Sequence, residues 1–265
     1  VVTISEMLEA LGKPSSRARL VNVSIDDCYR DTHDAVVPMF RAHDVPVTLF
    51  VTTGIPDGTH LLPWNGLERI IAERSAVRIG DDSIPTATGE AKRKAFAEIW
   101  TRWEAAGDVT GSYLAFCAAH GADPRALAER DAITWDMLRA LDADRYVEIG
   151  AHTCSHPRVS ALDDAAAEAE IVGSARRLEE VLGRRVEHFA FPYGRSADCG
   201  ERDFAIARRG GLRSSATTVK GLCRPGCDPY RLPRNTLNGA RQGLLAGEAL
   251  LSGFAGVAAR VLGRI

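Results

Sequence analysis

Three short polar clusters carry side chains suited to hydrolytic chemistry: Asp26-Asp27, His152-Thr153-Cys154-Ser155-His156 and Pro192-Tyr193-Gly194-Arg195. Two neutral imidazoles and one carboxylate make a three-ligand set for a borderline divalent metal. Such a set leaves a fourth position for water, which marks catalytic rather than structural zinc. A second carboxylate then has a use as general base on that water. Spacing of the H-x-x-x-H kind would suit one face of a helix, but Thr153 follows His152 and no glutamate base is present. Pro157 also disfavours helical geometry at His156, so the pair belongs on a loop after a strand. Singly, each cluster has a plainer explanation, an Asp-Asp turn or histidines without a metal. Their combination is what points to a metal centre.

The elements around the clusters place them at strand ends. LVNVSI at 20–25 reads as a buried strand ending at the two aspartates, and VPVTLFVTT at 45–53 as a second. Between them, residues 32–43 have helical character, burying Val36, Val37, Met39 and Phe40, with Pro38 predicting a kink or a late start. Strand, helix, strand at this spacing is a βαβ unit of a parallel sheet. A helix over 4–11 with Ser5 as its cap precedes it. After residue 131 the pattern resumes, with a helix at 134–141, a strand at 146–152, a long amphipathic helix at 162–182 and a strand at 188–194. A helix at 201–209, strands near 214–219 and 230–234, and a helix over 240–262 complete it. The alternation predicts a parallel barrel with outer helices and chemistry after the strands.

Residues 57–131 interrupt the alternation and read as mostly helical, with Phe96, Trp100 and Trp103 at helical spacing, suited to core packing or to a wall on which sugars stack. No linker or internal repeat divides the chain, which predicts one domain over 1–265 with a helical insertion at about 57–131. Lys+Arg 33 against Asp+Glu 35 gives a net charge of -2, unlike the basic excess of a nucleic-acid binder. No apolar run is long enough to span a bilayer. The opening VVTISEMLEALGK carries two glutamates, unlike a signal peptide. The six cysteines are too sparse for a disulfide scaffold. Together these favour a cytoplasmic setting, with periplasmic or secreted placement open if a leader was removed.

VSIDDCYRD, GAHTCSHP and FAFPYGR resemble the three motifs of the polysaccharide deacetylases, the group that includes chitin and nodulation-oligosaccharide deacetylases. The resemblance runs from about Leu20 to Asn238, excluding most of the insertion. It implies a distorted (β/α)7 barrel. It also implies a metal-dependent hydrolase removing an N-acetyl group from an N-acetylated sugar, an oligo- or polysaccharide or a lipid-linked sugar. Residue by residue, it makes Asp26 the catalytic base and Asp27, His152 and His156 the metal ligands. Pro192 positions the backbone N–H of Tyr193 as an oxyanion donor. The metal it implies is commonly zinc, with Co, Ni or Mn as alternatives. The resemblance is incomplete. Ala190 stands where an arginine is usual, and Arg231 or Arg234 is the candidate replacement. The late Leu-x-His motif is absent, leaving Asp26, His60 or His120 to return a proton to the amine. Cys28 replaces a usual glycine, and Cys154 lies between the histidines. The long insertion predicts a narrowed choice of substrate, towards short oligosaccharide or lipid-linked sugar. Two other readings stay open: an amidohydrolase or deformylase acting on another amide, and a catalytically weak glycan-binding module on the same fold, which would have no need of Asp26.

Overall fold

The computed structural model describes residues 1–13, 19–237 and 243–252. In chain order the elements are α1 (Ile4–Leu11), β1 (Ser24–Asp27), α2 (Val37–Ala42), β2 (Val47–Val51), α3 (Pro63–Ala72), β3 (Ala76–Ile79), β4 (Asp82–Pro85), α4 (Gly89–Ala106), α5 (Val109–Ala119) and α6 (Pro124–Asp131). Then follow α7 (Trp135–Asp142), β5 (Val147–Ala151), α8 (Asp164–Leu182), β6 (His188–Ala190), α9 (Glu201–Arg209), β7 (Ser214–Ala216) and α10 (Leu244–Leu251). They form two compact units. One contains Val1–Cys28, Thr32–Thr53 and the described residues from Trp135 onward; the other contains Tyr29–Asp31 and Gly54–Thr134.

The first unit is a parallel sheet in the order β1-β2-β5-β6-β7, extended by a parallel bridge between Ala216 and Leu232. The alternation of elements predicts such a parallel sheet with outer helices, and it is the curled sheet of the distorted (β/α)7 barrel that the resemblance implies. β2 is buried along its whole length, as a central parallel strand must be. Register fixes where the polar clusters fall. Asp27 pairs with Val51, Val51 with Ala151, and Ala151 with Phe189. The residues just beyond these positions therefore emerge at one end of the sheet. Gly150 allows the close packing: a Cβ there would lie 2.7 Å from the Phe50 ring and 2.8 Å from the His188 carbonyl oxygen.

Several elements differ from their sequence expectation. β1 begins at Ser24 rather than at residue 20 and includes both aspartates, because its paired register with β2 starts at Ser24 opposite Thr48. Thr3, not Ser5, caps α1, in a reciprocal capping box with Glu6. Pro38 does delay its helix: a π-helical turn covers Thr32–Val36 and α2 starts at Val37. That turn shifts the helical phase, so Val37 is buried while Met39 is 56% exposed. Residues 229–231 form a 3-10 turn instead of a strand, followed by the single bridge at Leu232. Of the helix expected over 240–262, Leu244–Leu251 is helical, Gly243 and Ser252 flank it, and residues 240–242 and 253–262 lie outside the described residues.

The second unit packs α3–α6 around Leu67, Ile70, Ile99, Trp103, Tyr113 and Phe116. Trp103 is buried in this cluster, whereas Phe96 and Trp100 pack partly buried against it. The antiparallel β3–β4 hairpin within it was not expected from sequence. Its strands are four residues long and bury little beyond Val77 and Ile84, too short a pattern for period-two alternation to stand out.

Candidate metal centre and active site

Adjacent side chains on a strand point to opposite faces, so two neighbouring carboxylates need a backbone irregularity to share a site. The end of β1 supplies it: Asp27 and Cys28 both have φ of 69°. The Cys28 N–H donates to the Asp26 carbonyl at 2.9 Å, and the Thr52 N–H to the Asp27 carbonyl at 3.2 Å. Both carboxylates then approach one imidazole. Asp27 Oδ1 lies 3.6 Å and Asp26 Oδ2 3.9 Å from His152 Nε2. Cys28, at the position where the resemblance leads one to expect glycine, is buried in a left-handed conformation that glycine adopts at no steric cost.

His152 follows β5 directly and is almost fully buried. Its Nδ1 lies 2.7 Å from the Ala190 carbonyl oxygen. A carbonyl only accepts, so Nδ1 carries the proton and Nε2 keeps its lone pair towards the aspartates. The loop then turns through Thr153 (φ 67°) and His156 (φ 59°). The Thr153 hydroxyl accepts the His156 N–H at 3.0 Å, and His156 Nε2 comes to 3.3 Å from Asp27 Oδ1. Thr153 is a contributor that sequence reasoning passed over, although a threonine three residues before the bonded N–H is a known local signal. One ligand atom from each of Asp27, His152 and His156 lies within 4.8 Å of the other two.

The electrostatics suit a cation. Burial lowers the pKa of both imidazoles, against the opposing pull of Asp26 on each and of Asp27 on His152, to about 4 for His156. At neutral pH two uncharged rings therefore stand beside an anionic carboxylate. With the His152 tautomer fixed, a nitrogen lone pair faces a carboxylate oxygen, an arrangement that a divalent ion of borderline softness satisfies. The donor set thus fits a metal. Neither Cys28 nor Cys154 joins the cluster of candidate ligands among the described residues.

Arg234 supplies the cation beside Asp26. Its fork is bidentate, Nη1 to Oδ1 at 2.6 Å and Nη2 to Oδ2 at 2.8 Å, with Nε donating to the Thr217 carbonyl at 3.0 Å. Burial alone would raise the Asp26 carboxyl, but Arg234, assisted by the imidazoles, outweighs it and holds the pKa below the usual range. Arg231 is engaged elsewhere, with Glu201 and with Asp228 at 3.2 Å. The third cluster makes a tight turn after β6. Tyr193 has φ of 60°, and the Gly194 N–H reaches back to the Pro192 carbonyl at 2.6 Å. Gly194 is required here, since a Cβ would sit 2.8 Å from the Thr218 nitrogen. The Tyr193 ring packs 5.1 Å from that of His156, and the Arg158 guanidinium lies 4.9 Å from the same Tyr193 ring. In the second unit, both ring nitrogens of His120 are engaged, one with the Phe116 carbonyl and the other with the Arg78 N–H.

A family model described as polysaccharide deacetylase matches residues 13–211 of the chain. The chain belongs to the polysaccharide deacetylase family, hydrolases that use a divalent metal to remove N-acetyl groups from sugars. No curated protein matches it significantly. Among solved structures it is similar to the Streptococcus pyogenes deacetylase PplD in complex with acetate, at 15% identity and a TM-score of 0.55, covering 88% of this chain and 71% of that one. It is also similar to a de-N-acetylase from Aggregatibacter actinomycetemcomitans (14%, TM-score 0.58, covering 94% and 82%) and to IcaB from Ammonifex degensii (16%, TM-score 0.58, covering 94% and 81%). These likenesses establish the shared barrel fold. No helix among the described residues is long and apolar enough to cross a membrane.

Proposed function

We propose that this chain hydrolyses the acetamide of an N-acetylated sugar, with Asp27, His152 and His156 holding a divalent metal and Asp26 acting as base. The observation that carries this reading is the convergence of three chain-distant ligand atoms within 4.8 Å, with a second carboxylate 3.9 Å from one of them. When bound, a zinc ion or similar divalent cation polarises an amide carbonyl and acidifies water. Asp26 is ionised, held by Arg234 through both oxygens, and 29% exposed, so it has lone pairs left to take a proton from water. Pro192 and Gly194 set the left-handed backbone of Tyr193, whose N–H is the proposed donor to the oxyanion; such a donor contributes about 10²–10³ in rate. Asp26 stands beside the proposed ligands, whereas His60 and His120 belong to the second unit and His120 has both ring nitrogens engaged, so Asp26 is the proposed carrier of the proton back to the leaving amine. The family's chemistry supports an N-acetylated carbohydrate as substrate, and the long insertion is the reason for proposing a short oligosaccharide or a lipid-linked sugar.

The experiment is acetate release from N-acetylglucosamine oligomers alongside bound-metal analysis. Asp26→Asn is expected to keep its metal and lose turnover, and His152→Ala to lose both. Full turnover in Asp26→Asn would remove Asp26 as the base. Saturable glycan binding without acetate release under several metals would favour the binding-module reading, and release of a different acyl group would favour another amide.

A further inference from the structure

The loop from Thr153 to His156 contains two non-glycine residues at positive φ, Thr153 at 67° and His156 at 59°. Such conformations persist only where the surroundings over-determine them. One carboxylate from outside the loop does much of this. Glu170, on α8, accepts the Cys154 N–H at 2.7 Å and the Ser155 N–H at 3.0 Å on Oε2, and the Ser155 hydroxyl at 2.6 Å on Oε1. Two consecutive N–H groups converging on one anionic oxygen form a concavity suited to negative charge. Hydrogen bonds to an ionised acceptor are about twice as strong as neutral ones. A weaker contact from the same helix joins them, the Cys154 thiol to the Ala169 carbonyl at 3.7 Å. Cys154 and Ser155 are the two residues immediately before His156, so fixing them sets where that imidazole projects.

We infer that Glu170 is a positioning residue for the metal centre: it clamps the loop between the two histidines so that His156 is presented to the same point as His152 and Asp27. This rests on the metal role proposed above for those three residues. Glu170 touches neither metal nor substrate in this scheme and acts through the loop. A glutamine of the same shape keeps one acceptor oxygen for the two N–H groups but loses the charge and the second acceptor, so Glu170→Gln separates the charge-assisted clamp from simple space-filling.

The test is Zn²⁺ affinity measured directly, by competition with a chromophoric chelator and without substrate, on the wild type, Glu170→Ala, Glu170→Gln and the exposed control Glu168→Ala. Partners of this kind typically contribute about 10–100-fold in metal affinity. Glu170→Ala is expected to bind Zn²⁺ weaker by about that factor, Glu170→Gln to fall between it and the wild type, and Glu168→Ala to match the wild type. A merely structural role would lower the unfolding midpoint of the metal-free protein and leave the affinity of the folded protein unchanged. Zn²⁺ affinity within twofold of wild type in both Glu170 variants overturns the inference. Should Glu170→Ala not fold, Glu170→Gln decides on the same criterion. A wild type that binds no Zn²⁺ overturns the metal reading itself and this inference with it.

Discussion

Replacing Arg234 with alanine removes the fork that holds both oxygens of Asp26 while leaving Asp27, His152 and His156 in place. Each hydrogen bond to a charged partner contributes about 1.5–3 kcal/mol, and two such bonds set the upper range. Asp26 is 29% and Arg234 18% exposed, so water replaces part of what is lost. A figure of about 2–3 kcal/mol follows, and at about 1.4 kcal/mol per decade it corresponds to roughly a hundredfold loss of kcat. The same loss follows from geometry, because a displacement of about 1 Å at a reacting group costs about 10²-fold. Metal affinity should hold or rise slightly, since Arg234 is a positive charge near His152, a proposed ligand. Arg234→Lys restores charge without the bidentate fork, and its expected loss is nearer tenfold. The assay is acetate release at saturating metal and substrate, with metal content and thermal unfolding measured on the same preparations. Turnover of Arg234→Ala within threefold of wild type, at full metal content, would refute the positioning argument.

Two further outcomes are expected. Burial would raise the Glu148 carboxyl, but His188, Ser5 and the Ile4 N–H outweigh it and bring the pKa from the ordinary 4.5 to about 2. A depressed folded-state pKa stabilises above pH 4.5, and the contribution is lost as pH falls through about 2; at neutral pH it is about 3 kcal/mol for this mostly buried group. Urea unfolding should therefore show Glu148→Gln destabilised most at neutral pH and by less than half as much at pH 3, and an equal deficit at both would count against the buried-carboxylate account. The helical insertion is expected to favour short N-acetylated oligosaccharides over insoluble polymer, read as acetate released per enzyme, and equal rates on both would contradict that expectation.

The sequence carried the strands and the polar clusters that follow them, because both follow from short-range rules, whereas the division of labour between Asp26 and Asp27 came from the family resemblance. A branched apolar run terminated by acidic residues reads as a buried strand whichever element it pairs with. Two imidazoles and a carboxylate after such strands suggest a cation before any fold is known. The choice between Arg231 and Arg234 was not legible, because it depends on the 3-10 turn at Pro229–Arg231 that gives their side chains different surroundings. Glu170 was hidden for a related reason. It lies 16 residues beyond Cys154 on a helix whose sequence shows only amphipathic periodicity. The β3–β4 hairpin was lost among helices because four-residue strands bury too little to leave a period.

Backbone strain ties the chemistry to the fold. Seven non-glycine residues among those described have positive φ, and five of them, Asp27 at the end of β1 and Cys28, Thr153, His156 and Tyr193 in the loops after the strands, build the site. Such conformations cost about 1–3 kcal/mol each, so the protein must offset them there. The offsets are visible: the Thr52 N–H on the Asp27 carbonyl, the Thr153 hydroxyl on the His156 N–H, Glu170 on the intervening amides, and the Thr218 hydroxyl on the Tyr193 carbonyl. Each comes from a group belonging to the chain itself. Hydrogen bonds of the barrel therefore help to arrange the proposed ligands. An arrangement of this kind separates two roles. The sheet register brings distant residues to one level, and the left-handed turns aim them at one point. A substitution that relaxes a turn can then disable the site while leaving the sheet intact.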